Sequence, residues 1–110
     1  MAENVQTVLV IDDDDQVRDL LRRFIEDNRG RALLAANTEE GLALARNDQV
    51  DLIMLDIVLP DEDGLSAMKK IAATMPSVPV IMMTGYDKLD TARECLKLGA
   101  RDFITKPFDL

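Results

Sequence analysis

Five short apolar runs punctuate the chain: Val8–Ile11, Ala32–Ala36, Leu52–Leu55, Val80–Met83 and Phe103–Thr105. Most are continuous rather than alternating, as expected for strands covered on both faces. Between them the period changes to that of helices. Val17, Leu20, Leu21, Phe24 and Ile25 follow the i, i+3, i+4, i+7, i+8 stripe of a helix with one buried face. Asp14 or Asp15 is placed to cap its start, and Gly30 follows its end. Thr38 is placed to cap a second helix, with Glu39 and Glu40 favourably set in its first turn. Leu65, Met68, Ile71, Ala72 and Met75 stripe a third, which Met75-Pro76 ends. A fourth is expected from Lys88 to Leu98, with Gly99 just past its end.

Strand and helix therefore alternate, which predicts an α/β fold with a parallel sheet and right-handed crossovers. No internal repeat, low-complexity segment or linker interrupts the pattern, so one domain is expected over residues 1–110. After the fifth run, Asp109 reads as the N-cap of a helix that does not follow. The expectation is a sheet whose fifth helix is missing, by truncation or because the chain is a piece of a longer protein.

Composition narrows the chemistry. Acidic residues number 21 against 13 basic, a formal net charge of −8. Binding to the phosphates of nucleic acid or to an anionic membrane rests on clustered Lys and Arg, so neither is expected as a direct partner. A divalent cation or a basic protein surface suits the balance better. The chain has no histidine and one cysteine, Cys95. That excludes an intramolecular disulfide, a Cys–His nucleophile pair and a zinc site made within this chain. Cys95 lies in an amphipathic stretch and reads as a small core residue. Met1-Ala2-Glu3-Asn4 is neither basic nor followed by a long apolar run, which argues against a signal peptide and for a cytoplasmic location.

The strand ends carry the candidate chemistry. In doubly wound sheets, ligands bind beyond the carboxyl ends of the strands, where strand order reverses. The first run ends in Asp12 and Asp13, the third in Asp56, the fourth in Thr84 and Gly85, and the fifth in Lys106 and Pro107. If the first and third strands are neighbours, three carboxylates meet one hydroxyl and one ammonium. Two like charges about 5 Å apart repel by roughly 3 kcal/mol at an effective dielectric near 20. One lysine does not balance three carboxylates, so a cation or a raised pKa is required. Mg²⁺, which takes oxygen ligands and keeps waters, fits that need. Asp12 and Asp13 are expected to be partly buried because they end an apolar strand; Asp14 and Asp15 read as a solvated, helix-capping turn. Asp61-Glu62-Asp63-Gly64 has the look of a calcium loop, but with Gly64 sixth the first and twelfth positions fall on Leu59 and Lys70, and the pattern fails. These residues read instead as a turn before the third helix.

Taken in order, Val8-Leu9-Val10-Ile11-Asp12-Asp13, Asp56-Ile57-Val58-Leu59-Pro60 with Asp63-Gly64, Met83-Thr84-Gly85, and Gly99-Ala100-Arg101-Asp102-Phe103 running to Lys106-Pro107-Phe108 resemble the receiver domain of two-component response regulators. Each piece alone is weak; the resemblance covers essentially the whole chain. It implies a flavodoxin-like, doubly wound, five-stranded parallel sheet of order 2-1-3-4-5. It implies that Asp56 accepts a phosphoryl group as an aspartyl phosphate, donated by a histidine kinase or a histidine phosphotransfer protein. Asp13 would bind Mg²⁺ directly, Asp12 mainly through water, and the backbone carbonyl of Val58 would add a ligand. Thr84, followed by Gly85, would bond one phosphoryl oxygen and Lys106 another. The chain would be a signalling phosphoacceptor rather than an enzyme, with self-catalysed phosphorylation and dephosphorylation.

The same resemblance implies a switch in which Thr84 moves toward the phosphoryl group and the aromatic of the fifth strand swings inward. Phe103 holds that place, where Tyr is more common; an ordinary core role is equally open to it. Val58 and Tyr86 would flank the path of an attacking water, and neither side chain offers a carboxylate or amide to orient it, so slow self-dephosphorylation is expected. Lys106-Pro107 would be cis. The resemblance also implies a homodimer through the fourth helix, fifth strand and fifth helix, a contact that a missing fifth helix would compromise. Two rivals remain: an interaction module that takes no phosphate, and a haloacid-dehalogenase-type hydrolase. The second needs D-x-D-G-T, and Asp12-Asp13-Asp14-Asp15-Gln16 lacks the Gly-Thr.

Overall fold

The computed structural model describes residues 5–108. Its elements run β1 (Thr7–Ile11), α1 (Asp15–Asp27), β2 (Arg31–Ala35), α2 (Thr38–Asn47), β3 (Leu52–Asp56), α3 (Gly64–Thr74), β4 (Val80–Thr84), α4 (Leu89–Lys97) and β5 (Asp102–Thr105), with a 3₁₀ turn at Tyr86–Lys88 before α4. The strands pair in parallel in the order β2-β1-β3-β4-β5. Each predicted run is a strand, with ends differing by one residue. The flavodoxin-like order that the resemblance implied is the observed one. Asp109, the expected N-cap, lies outside the described residues, as does Met1-Ala2-Glu3-Asn4.

Alternate residues of each strand face two separate cores, which explains the unbroken apolar runs. Leu9, Ile11, Ile53, Leu55 and Met82 pack with Ala67, Met68 and Ile71 of α3 and Ala92 and Cys95 of α4. Leu42, Leu44 and Ala45 bring α2 to the same side. Val8, Val10 and Met83 meet Leu21 and Ile25 of α1 on the other side, with Leu52, Met54, Ile104 and Phe108 partly buried around them. Cys95 is fully buried, as a core residue should be. Leu20 and Phe24, part of the predicted stripe, are more than two-fifths exposed, so α1 buries a narrower face than its sequence indicates.

The expected helix ends at Asp14 and Gly99 are observed, and the expected cap at Thr38 is not. Asp14 caps α1 by accepting from the Gln16 N–H at 2.8 Å. Asp63 caps α3 through the Ser66 N–H at 2.8 Å. Gly99 follows α4 with φ +116°, which a side chain resists. At α2 the cap is Asn37, not Thr38: Asn37 Oδ1 accepts from the Glu40 N–H, and the Glu40 carboxylate accepts from the Ala36 N–H. This reciprocal box leaves Thr38 in the first turn, buried. After α1 the left-handed residue is Arg29, with φ 66°, not Gly30. Gly30 is needed for space instead, since a Cβ there would lie 2.8 Å from Ile25 Cγ2.

β1 lies between β2 and β3, and the register pairs Ile11 with Leu55. Chain leaving β1 goes to one side of the sheet order and chain leaving β3 to the other. The crevice between them opens beside Asp12 and Asp56.

Candidate functional site

Asp12 takes one step beyond β1, its N–H still bonded to the Ala35 carbonyl at 3.0 Å. It is completely buried. Its Oδ1 accepts from the Asp14 N–H at 2.9 Å, and its Oδ2 from Lys106 Nζ at 2.6 Å. A buried carboxylate needs such partners, and this one has a backbone donor and a cation. Asp13 is exposed, contrary to the burial expected of it. The chain turns out of the sheet after Asp12, so only the first of the two acids stays inside.

Asp56 ends β3 and is 6% exposed. Its Oδ1 faces the Val58 N–H at 3.3 Å, and its Oδ2 lies 3.3 Å from Lys106 Nζ. Burial, then the charge of Asp12, push its carboxyl up to about 6, against the pull of Lys106 and the Val58 N–H. Lys106 is pulled both ways. Burial disfavours its charge, but the hydrogen bond it donates to Asp12 and the charges of both carboxylates prevail and raise it above the usual lysine value. Lysine is therefore charged at neutral pH and bridges Asp12 and Asp56.

One oxygen from each of Asp12, Asp13 and Asp56 lies within 4.8 Å of the others. Pairs that close repel by roughly 3 kcal/mol each at an effective dielectric near 20. One ammonium offsets part of this, and burial together with the remaining repulsion from Asp12 keeps the Asp56 carboxyl raised. Three hard oxygen donors at this spacing, with an uncompensated negative charge, fit a divalent cation. The acids of Asp61-Glu62-Asp63 form no such cluster. Asp61 faces the Thr38 N–H at 3.5 Å, Glu62 pairs with Lys70 at 2.9 Å, and Asp63 caps α3.

The other singled-out residues lie on or just after β3, β4 and β5. Thr84 ends β4, one register step past the Asp56–Met83 pair, and is 1% exposed. Its hydroxyl donates to the Gly85 carbonyl at 2.8 Å. Val58 and Tyr86 stand exposed, at 56% and 71%. Phe103 pairs with Met82 and packs partly buried against the α2–α4 core. Lys106-Pro107 is cis, as the resemblance implied. One contact has no signal in the hydrophobic pattern: Arg18 Nη1 donates to the Asp12 carbonyl at 2.6 Å, and Nη2 to the Asp15 carboxylate. Only its place three residues after an acid hints at a pairing.

Residues 8–110 match the family model described as the response regulator receiver domain. The probable C4-dicarboxylate response regulator DctR of Priestia megaterium is 38% identical, aligned over 98% of this chain and 48% of its own length. The response regulator protein PilR of Pseudomonas aeruginosa is 39% identical over 96% of this chain and 24% of its own. The chain thus spans about half or less of these relatives. Among solved structures, the receiver domain of NtrX from Brucella abortus superposes with a TM-score of 0.88 at 34% identity, covering 93% of this chain and 87% of that one. A CheY-like receiver domain protein from Methanospirillum hungatei gives 0.89 at 32%, covering 96% and 85%. Among the described residues, no helix is long and apolar enough to cross a membrane.

Proposed function

The chain belongs to the response regulator receiver domains, and from that premise we propose that it is the phosphoacceptor of a two-component relay, taking a phosphoryl group on Asp56 from a histidine kinase or a histidine phosphotransfer protein. The observation that carries this is the setting of Asp56: a nearly buried carboxylate at a strand end, within 4.8 Å of two others and 3.3 Å from a lysine. A carboxylate held only by two 3.3 Å contacts keeps lone pairs free to react.

In the transfer, an Asp56 carboxylate oxygen attacks phosphorus in line. A new O–P bond forms, the P–N bond to the donor histidine breaks, and its electron pair returns to the imidazole nitrogen. Lys106 stays charged and pairs with an equatorial phosphoryl oxygen. Thr84 exchanges its bond to the Gly85 carbonyl for one to another such oxygen, so its hydroxyl reports the phosphorylated state, with Phe103 the adjoining aromatic of the switch. The pocket residues Asp13, Asp56 and the Val58 carbonyl would hold Mg²⁺ directly, with Asp12 acting through water. Its chemistry there is to neutralise the carboxylates and the charge on the transferring group. That Asp12 has both oxygens bound to protein donors supports its indirect role. Val58 and Tyr86, both exposed, offer no carboxylate or amide to orient a hydrolytic water.

Incubation with acetyl phosphate and MgCl₂, followed by intact-mass measurement, tests this. The expected result is a gain of one phosphoryl group that vanishes in Asp56→Asn. No gain in the unmodified chain would refute phosphoacceptance and leave an interaction module. A gain that survives in Asp56→Asn would place the nucleophile elsewhere.

A further inference from the structure

Four acids in a row, Asp12 to Asp15, form the turn that leaves β1. Such a turn repels itself and tends to open. The Asp12 carbonyl also belongs to a fully buried residue, at the point where the strand ladder stops. A buried carbonyl needs a donor. Arg18 meets both needs with one group. Its backbone N–H bonds the Asp14 carbonyl at 3.0 Å, one turn into α1. Its guanidinium then reaches back, Nη1 to the Asp12 carbonyl at 2.6 Å and Nη2 to the Asp15 carboxylate. The Arg18 side chain is 18% exposed, whereas that of Asp15 is 90% exposed. The planar fork spans the turn from its first residue to its last.

We propose that Arg18 is a positioning residue for the cation site: its guanidinium staples the Asp12–Asp15 turn, fixing where the Asp12 and Asp13 carboxylates point. This rests on the reading of the three-carboxylate cluster as a Mg²⁺ site. Arg18 touches none of the carboxylate oxygens of that cluster in the hydrogen bonds it makes; it acts on the backbone that carries them. A partner of this kind sets how well the ligands are aimed, and its loss commonly weakens metal affinity tenfold or more.

Charge and positioning predict opposite signs, which makes the inference testable. A fixed cation beside the site repels Mg²⁺, so its removal, acting through charge alone, would tighten binding. Loss of the staple would loosen it. A group that only stabilised the fold would lower the melting temperature without metal and leave the affinity of the folded protein unchanged.

The measurement is calorimetric titration of EDTA-stripped protein with MgCl₂ at fixed ionic strength, without phosphodonor. Arg18→Gln is expected to weaken Mg²⁺ on the order of tenfold, although it removes a positive charge. Arg18→Lys keeps the charge but not the fork, and is expected to weaken it about threefold. Unchanged or tighter binding in Arg18→Gln overturns the proposal. If that variant does not fold, Arg18→Lys decides, and an affinity equal to the parent overturns it. Absence of any Mg²⁺ binding by the unmodified chain would instead strike down the metal reading itself, a result distinct from either variant's.

Discussion

Replacing Asp56 by Asn removes a charge that burial and Asp12 both resist. In the folded protein the carboxyl is raised from the ordinary 3.8 to about 6. Below the ordinary value, folded and unfolded chains both hold the proton, and the group has no effect on stability. Between about 4 and 6 the unfolded chain loses the proton first, so stability falls as pH rises. Above about 7 both are ionised and the cost is complete. A shift of this size corresponds to about 3 kcal/mol at most, and water at the open crevice reduces it to about 2 kcal/mol. Asn keeps an oxygen for either Lys106 or the Val58 N–H but not both, which takes back about 1 kcal/mol. Asp56→Asn should therefore stabilise the metal-free protein at pH 7.5 by about 1–2 kcal/mol, or roughly 4–10 °C in melting temperature. The gain should fade toward pH 4. Saturating Mg²⁺ should stabilise the parent by about 3 kcal/mol at a hundred times its dissociation constant, and the Asn variant by less. Thermal melts in EDTA across pH 4–8, repeated in MgCl₂, measure all of this. An Asn variant no more stable than the parent at pH 7.5 in EDTA would refute the argument from repulsion.

Lys106→Gln should destabilise the metal-free protein by about 3 kcal/mol at pH 7.5, because among the described residues it strips the only cation paired with the buried Asp12 carboxylate; urea denaturation reads it. A loss below about 1 kcal/mol would mean that the Asp14 N–H alone satisfies Asp12. Val58→Asn should hasten decay of the phosphorylated protein in Mg²⁺ several-fold, about 1 kcal/mol of barrier, by orienting water at an exposed position. Unchanged decay would dismiss Val58 as a shield.

Periodicity alone found the five strands among the described residues, because their side chains pack alternately on two faces and most of the runs read as continuously apolar. Asp56, Thr84 and Lys106 lie at the strand ends it assigned them, since strand ends in such a sheet share one edge. Its errors were local. Thr38 and Asn37 are both competent caps, and what chose Asn37 was the return bond from Glu40. Gly30 follows α1 as expected, but the fold uses its missing Cβ rather than a free φ, and Arg29 takes the left-handed conformation. Asp13 was expected inside with Asp12; the direction in which a chain leaves a sheet is a tertiary fact. Arg18 lay beyond pattern reading because its main contact is to a backbone carbonyl.

These particulars share a physical logic. The fold confines carboxylates that repel, and only Lys106 among the described residues forms ion pairs with Asp12 and Asp56. The metal-free site is thus an unfavourable part of an otherwise well-packed sheet, and the unfavourable energy resides on Asp56, the group proposed to react. An Asp56 with an ordinary carboxyl value would stabilise the domain, but it would also be well solvated or firmly hydrogen-bonded, and a weaker nucleophile for it. A cation relieves the repulsion without satisfying the lone pairs of Asp56 by hydrogen bonds. Asp12 is the contrasting case: both its oxygens are bound by protein donors, which suits a residue that steers a cation rather than reacts. Two carboxylates one register step past paired strand residues thus differ in their hydrogen bonding, which suits the different roles proposed for them.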